Sequence, residues 1–137
     1  MTDVEVLYAW RGEVTSTELN ALHAEAFDTR VYGDDEWNWR AQLEGHSLGW
    51  VTARDGDVLV GFVNVVSDGL VHAWIQDTMV AERARRRGIA TTLVAHAVER
   101  ARTAGREWLH VDFEDHLRPF YIESCGFVPT NAGLIEL

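Results

Sequence analysis

The spacing of apolar residues changes several times along the chain, and each change predicts an element. Residues 4–9 read as a first strand, after which Thr15-Ser16-Thr17-Glu18 supplies a helix start. Leu19, Leu22, His23 and Phe27 follow on neighbouring turns of that amphipathic helix. Asp34 and Asp35 are expected to cap a second, short helix that reaches Leu43 and projects Trp37 and Trp39 in different directions. Strand-like runs at 48–54, 58–67 and 70–80 come next, separated by the turn pairs Asp55-Gly56 and Asp68-Gly69. Turns this short predict an antiparallel meander.

A long helix is predicted over 89–104, because Ile89, Leu93, Ala97 and Ala101 recur every four residues and Gly105 supplies the stop. Residues 108–113 form the next strand. With a helix between them, the strands at 70–80 and 108–113 are expected to be parallel, so the sheet is mixed. A short helix over 119–124 and a terminal strand over 134–137 complete the order. No repeat, low-complexity tract or Ser/Pro-rich linker divides the chain, which reads as one domain over 1–137.

Composition narrows the picture. A chain of 137 residues, 47% apolar, is long enough to bury a core without a disulfide or structural metal. The single cysteine, Cys125, excludes an internal disulfide and favours a reducing compartment, hence the cytoplasm. No run approaches the ~18 apolar residues of a membrane helix, and the first residues lack the pattern of an export signal. The net charge of -10 argues against nucleic acid or an anionic membrane as a partner. Its distribution is uneven: residues 81–106 carry seven arginines against two acidic residues, inside an otherwise acidic protein.

That basic island coincides with the most informative stretch, residues 80–94, where a strand passes into the long helix. Gly88 and the small Ala90 let backbone approach a ligand, and the first helical turn presents free N–H groups and a positive pole to an anion. Arg83, Arg85, Arg86 and Arg87 strengthen the pole. The ligand that suits such a place is a phosphate or pyrophosphate. Other phosphate loops fit less well, since there is no Gly-Lys-Ser/Thr of a nucleoside triphosphatase and no Gly-x-Gly-x-x-Gly of a dinucleotide fold. A plain helix start flanked by solvated arginines is the alternative.

Arg85-Arg86-Arg87-Gly88-Ile89-Ala90 resembles the pyrophosphate loop of the GCN5-related N-acetyltransferase (GNAT) family, Arg/Gln-x-x-Gly-x-Gly/Ala. Val80 stands five residues upstream, where the family has a valine. Pro119-Phe120-Tyr121 followed by Gly126-Phe127 resembles the family's closing element, an aromatic-Tyr pair before Gly-Phe. The resemblance covers residues 48–130 well and the first 47 in pattern only. It implies an α/β (α+β) single-domain fold, a mixed central sheet with helices on both faces. It also implies acetyl-CoA as acyl donor and direct attack by an amine, without a covalent enzyme intermediate or a metal.

By the same resemblance, backbone at Arg87, Gly88, Ala90 and Thr91 would hold the pyrophosphate, with Arg85 and Ile89 in the same loop. Met79 and Val80, at the splayed end of their strand, would bind the pantetheine arm and polarise the thioester carbonyl. Tyr121 is then the candidate acid that protonates the departing thiolate. The family places this Tyr four residues before the Gly, whereas Tyr121 and Gly126 are five apart. An extra residue would turn the ring by about 100° unless the helix end loosens. Glu114 and Leu117 also stand where the family often has Asn and Ala.

An alkylamine of pKa about 10.4 arrives protonated, so a base is needed. Asp77 is the candidate, because the polyamine-acetylating branch has an Asp three residues before the valine; a structural carboxylate is the alternative. If Asp77 and Met79 share a strand face, Asp77 looks toward the acetyl end of the donor. Asp34, Asp35 and Trp37 fall where the family builds its acceptor pocket, and carboxylates beside an aromatic face suit an ammonium group. The expected function is acetyl transfer to a primary amine of a small cationic molecule. A CoA-binding sensor or partner domain with little chemistry is the alternative. His110, Asp112, Glu114, Asp115 and His116 offer a weaker metal or relay reading. An exposed terminal strand would invite a homodimer.

Overall fold

The computed structural model describes residues 5–137, so the expected strand start at Val4 lies outside the described residues. Strand β1 is Val6–Trp10, and Thr15 then caps helix α1, Ser16–Phe27. The Thr15 hydroxyl accepts from the Glu18 N–H at 3.0 Å while the Glu18 carboxylate accepts from the Thr15 N–H at 3.0 Å. That reciprocal box satisfies two backbone donors at once. Helix α2 is Trp39–His46, and strands β2 (Ser47–Asp55), β3 (Val58–Ser67) and β4 (His72–Val80) follow as an antiparallel meander. Helix α3 (Ile89–Thr103) crosses over to β5 (Trp108–Val111), which pairs with β4 in parallel. The sheet order is β1-β2-β3-β4-β5.

The sheet's central strand, β3, fixes which helix lies on which face. A methyl group at Gly61 would sit 2.9 Å from the Ile89 side chain and 3.1 Å from Leu93, so α3 rests directly on that backbone. The alternate position, Phe62, meets Trp39 of α2 edge-on at 6.0 Å on the opposite face. Val60, Phe62, Val63 and Val65 are fully buried between the two layers. Each side chain buried to this degree contributes roughly 1.5–3 kcal/mol of burial energy. The mixed sheet with helices on both faces is the architecture that the sequence implied.

Three expectations need correction. Helix α2 is capped by Asn38, whose side chain accepts from the Ala41 N–H at 3.0 Å, and not by Asp34 or Asp35, which lie upstream of it. The terminal strand over 134–137 does not form. Pro129 supplies no N–H, and Asn131-Ala132-Gly133 are weak strand formers, so the segment runs without a ladder and leaves Leu134 91% exposed. The alternation assumed between Asp77 and Met79 is broken: Phe62 pairs with Met79 but Asn64 pairs with Gln76, leaving Val63 opposite both Asp77 and Thr78. This is a β-bulge, and Asp77 takes a left-handed φ of 56° there.

Candidate active site

The turn between β4 and α3 is built from backbone. Ala81 donates to Val60 at 2.8 Å, a short 3-10 turn over Glu82–Ala84 buries Ala84, and the chain then reverses through left-handed Arg86 (φ 64°) and Gly88 (φ 74°). Gly88 is the N-cap of α3 and offers no side chain to its first turn. The first helical bond there runs from the Thr92 N–H to Gly88 at 3.1 Å. By helix geometry the N–H groups of Ile89, Ala90 and Thr91 are therefore left for an outside acceptor, at the positive end of a 15-residue helix with no acidic residue in its first turn. Oxygens of a pyrophosphate fit this place.

The arginines divide into two groups. Arg83 and Arg87 lean on Asp55 of β2, at 3.5 and 3.8 Å, so part of the expected positive pole is neutralised from within. Arg85 reaches back to the Val80 carbonyl at 3.4 Å, which ties the loop to the end of β4. The Glu82 N–H donates to Glu25 at 2.6 Å and so anchors the same turn to α1.

Strands β4 and β5 pair only over His72–Ile75 with Trp108–Val111. Beyond Ile75, β4 continues to Val80 beside β3 alone, so its other edge opens at Met79 and Val80 with no strand partner among the described residues. The Met79 side chain is buried in the core and its backbone faces Phe62 of β3, because Ala81 donates to Val60 and hydrogen-bonded pairs alternate along the ladder; the expected role of Met79 thus passes to Val80, whose backbone faces the opened edge.

Tyr121 stands at this opening. Residues Pro119–Ser124 form a π-helical turn in which Cys125 donates to Phe120 at 2.9 Å, five residues back. The wider turn takes up the extra residue between Tyr121 and Gly126. The ring stays buried, stacked on Phe113 at 5.1 Å and edge-on to Phe120 at 4.8 Å, and the hydroxyl donates to Thr78 Oγ1 at 3.3 Å. Burial pushes the phenol's pKa up, with the Thr78 hydrogen bond opposing the shift. A phenol held neutral in this way is a proton donor.

On the other side of the bulge lies the expected acceptor region. Burial raises the pKa of the Asp77 carboxyl, while the positive charge available to His23 of α1 and the Asn64 amide pull it back. His23 lies at the centre of an aromatic cluster, with ring centroids 5.0 Å from Phe27, 6.0 Å from Tyr32, 5.7 Å from Trp37 and 5.9 Å from Trp39. Trp37 stacks on Tyr32 at 5.3 Å and remains 45% exposed. Asp35, two residues earlier in the chain, is exposed. Asp34 serves the loop's own structure. It accepts from Thr17 Oγ1 at 2.6 Å and from Asn20 Nδ2 at 3.0 Å, and these bonds, Thr17 first, hold its carboxyl below its usual pKa. Buried Asn20 also bonds the Trp37 carbonyl at 3.3 Å and accepts from Trp39 Nε1 at 2.9 Å, so one side chain fixes the whole α1–α2 loop.

The structure thus gathers Asp77, Tyr121, Met79, Val80 and the 85–91 turn around the end of β4, with Trp37 on the α1 side. Sequence reasoning missed His23, Tyr32 and Thr78 as parts of this surround. The one signal was Gln76-Asp77-Thr78, three polar residues in a row where a half-buried strand should alternate. His110 belongs elsewhere: it stacks on Trp74 at 4.8 Å and shares a 2.8 Å hydrogen bond with His72. Among the described residues no group of three or more His, Cys, Asp or Glu is placed to hold a metal, and no helix is long and apolar enough to cross a membrane.

Comparison with known proteins agrees with this geometry. A family model described as the acetyltransferase (GNAT) family matches residues 9–127. No curated protein matches. A putative acetyltransferase from Deinococcus radiodurans is 25% identical with a TM-score of 0.76, over 99% of this chain and 93% of that one. A GNAT family acetyltransferase from Streptococcus pneumoniae is 24% identical with a TM-score of 0.74, over 97% and 98%. AAC(6')-Iy, in complex with the bisubstrate analogue CoA-S-monomethyl-acetylneamine, is 16% identical with a TM-score of 0.75, over 97% of both chains. The match spans the opened edge of β4, the uncapped turn at Gly88 and the Tyr121 element together: the chain belongs to the GNAT acetyltransferase family.

Proposed function

We propose that this protein transfers an acetyl group from acetyl-CoA to a primary amine of a small cationic acceptor, by direct attack with both substrates bound. The observation that carries the reading is the uncapped first turn of α3 at Gly88 lying next in sequence to the opened edge of β4. The donor supplies an activated acetyl thioester. Backbone at Arg87, Gly88, Ile89, Ala90 and Thr91 binds its pyrophosphate, with Arg85 supporting the loop. Backbone at Val80 holds the pantetheine arm along the unpaired edge and polarises the carbonyl oxygen, with buried Met79 anchoring that edge to β3. Tyr121 delivers a proton to the departing thiolate.

Asp77, Trp37 and Asp35 receive the acceptor, with Asp34 holding their loop in place. An exposed aromatic face next to carboxylates attracts an ammonium group. A CoA-binding domain without chemistry is less well supported, because the π turn brings the Tyr121 hydroxyl to Thr78 despite the five-residue spacing. A homodimer is also part of the proposal. The outer edge of β5 lacks a strand partner among the described residues, and exposed Val128 and Leu134 line one cavity with Leu109 and Val111 of that strand. Sedimentation that gives the mass of one chain at micromolar concentration removes that element.

The central test is calorimetry with acetyl-CoA. Micromolar binding by the native protein, lost in Gly88→Glu, is the expected result. A folded native protein that does not bind overturns the reading.

A further inference from the structure

Tyr121 is buried in an apolar surround that suits a phenol and not a phenolate. Its ring stacks on Phe113 at 5.1 Å and meets Phe120 and Phe127 edge-on at 4.8 and 6.0 Å. A proton donor placed there becomes an anion when it acts, and burial among three phenylalanines disfavours the charged form. The hydrogen-bond partner of its hydroxyl among the described residues is Thr78, whose Oγ1 accepts at 3.3 Å. Thr78 reaches this place through the bulge, where it lies opposite Val63 together with Asp77 and where Asp77 takes its left-handed φ of 56°. Among the described residues the phenol is the one partner of the Thr78 hydroxyl, so the hydroxyl's own proton is not held by another acceptor.

Resting on the acetyltransferase reading, we propose that Thr78 positions the proton donor: its hydroxyl holds the Tyr121 phenol at the end of β4 before reaction and turns to donate to the phenolate once the proton has left. A hydroxyl can do both because it carries one donor and two acceptor lone pairs. The neutral amine forms the C–N bond to the thioester carbonyl, and the C–S bond breaks with its electron pair going to sulfur. The phenol proton moves to that sulfur, and the Thr78 Oγ1 proton turns to the phenolate oxygen. A proton lost by the acylated nitrogen then restores the phenol through water, so amine and acetyl thioester give amide and thiol with no net change in protons. A hydrogen bond to the charged form eases ionisation, the direction in which Thr78 acts on the phenol against the larger effect of burial. The bulge thus places a partner for the anion where three phenylalanine rings supply none.

A positioning Thr78 and a merely packed one differ in how they combine with Tyr121. The experiment measures kcat with an alkylamine, and acetyl-CoA affinity, for the native protein, Thr78→Val, Thr78→Ser, Tyr121→Phe and the double variant of Thr78→Val with Tyr121→Phe. Valine keeps the branched shape of threonine and lacks only the hydroxyl. Thr78→Val should lower kcat about tenfold and change the affinity by less than about twofold, while Thr78→Ser should stay within about threefold of native. The double variant should lose no more than Tyr121→Phe alone, because Thr78 acts only through the phenol. No loss in Thr78→Val, losses that multiply in the double variant, or a serine as slow as the valine overturn the proposal. Thermal unfolding identifies a variant that does not fold, and Thr78→Ala then replaces the valine variant throughout. Carbon-13 labelling of the three tyrosines reads the contact without turnover. The Cζ signal absent from Tyr121→Phe should move in Thr78→Val and return in Thr78→Ser; a signal that does not move overturns the contact. Native protein that binds acetyl-CoA and shows the contact but transfers to no amine overturns the acetyltransferase reading instead.

Discussion

The two halves of the proposed site are built in opposite ways. The donor half, at the β4–α3 turn, is mostly backbone: an N-cap glycine, three N–H groups without helical acceptors and a strand edge without a neighbour. The acceptor half, around the α1–α2 loop, is almost entirely side chains, with Asn20, Asp34 and Thr17 pinning a loop whose rings then converge on His23. Backbone recognition needs a short, contiguous sequence and constrains few residue types. Side-chain recognition draws on residues far apart in sequence and can change without disturbing the turn.

The sharpest way to break the donor half is Gly88→Glu. A left-handed φ of 74° strains any side chain there, and this one adds negative charge at the anion site. Acetyl-CoA affinity should fall more than about 100-fold, near 3 kcal/mol by calorimetry. Tyr121→Phe should leave that affinity intact and lower kcat about 100-fold, since a thiol of pKa about 8.5 still departs slowly unaided. A kcat change under threefold would remove Tyr121 from the chemistry.

Asn20→Ala probes the acceptor half. It orphans the Trp39 indole N–H, frees the Trp37 carbonyl and leaves Asp34 held by Thr17 alone, so denaturant unfolding should show a loss of about 1–3 kcal/mol. Acceptor KM should rise while acetyl-CoA affinity changes less than twofold; equal effects on both substrates would mean that the halves are not independent. Asp55→Asn should tighten acetyl-CoA binding a few-fold, an effect that salt erodes, because Arg83 and Arg87 lose their internal counter-charge.

The smallest effect concerns pH. Burial raises the pKa of Asp77 in the folded state, so its charged form is disfavoured there relative to the unfolded chain. The resulting penalty is absent below the ordinary carboxylate pKa of about 4 and grows as pH rises through the folded value. Asp77→Asn should therefore be slightly more stable than the native protein at pH 7, with the gap in Tm closing toward pH 3. A gap that widens on acidification would contradict the burial argument.

The contrast between the halves also governs what could be read before folding. Meander, crossover and α3 were legible because each rests on a local period or turn pair, and Arg85 to Ala90 formed a recognisable segment for the same reason. Asp34 was misread as a helix cap because carboxylates before a helical pattern are common caps; its actual partners, Thr17 and Asn20, lie on the preceding helix. The Asp77 bulge was invisible to a rule that assumes strict alternation. His23 was read as one position on an amphipathic helix, since nothing local shows that its ring meets those of Tyr32, Trp37 and Trp39. The terminal strand failed because apolar residues alone do not provide a ladder partner.

The π turn over Pro119–Ser124 bears on how relatives are compared by sequence. Counting four residues back from Gly126 lands on Ile122, which has no proton to give, and an alignment anchored there would class this chain as having lost its acid. Counting from the strand side reaches Tyr121. One extra residue between the tyrosine and the glycine is absorbed as a wider helical turn, so the side chain keeps its place while its apparent address moves by one. Spacing to the glycine alone is therefore no measure of whether the tyrosine reaches the end of β4; the turn type decides.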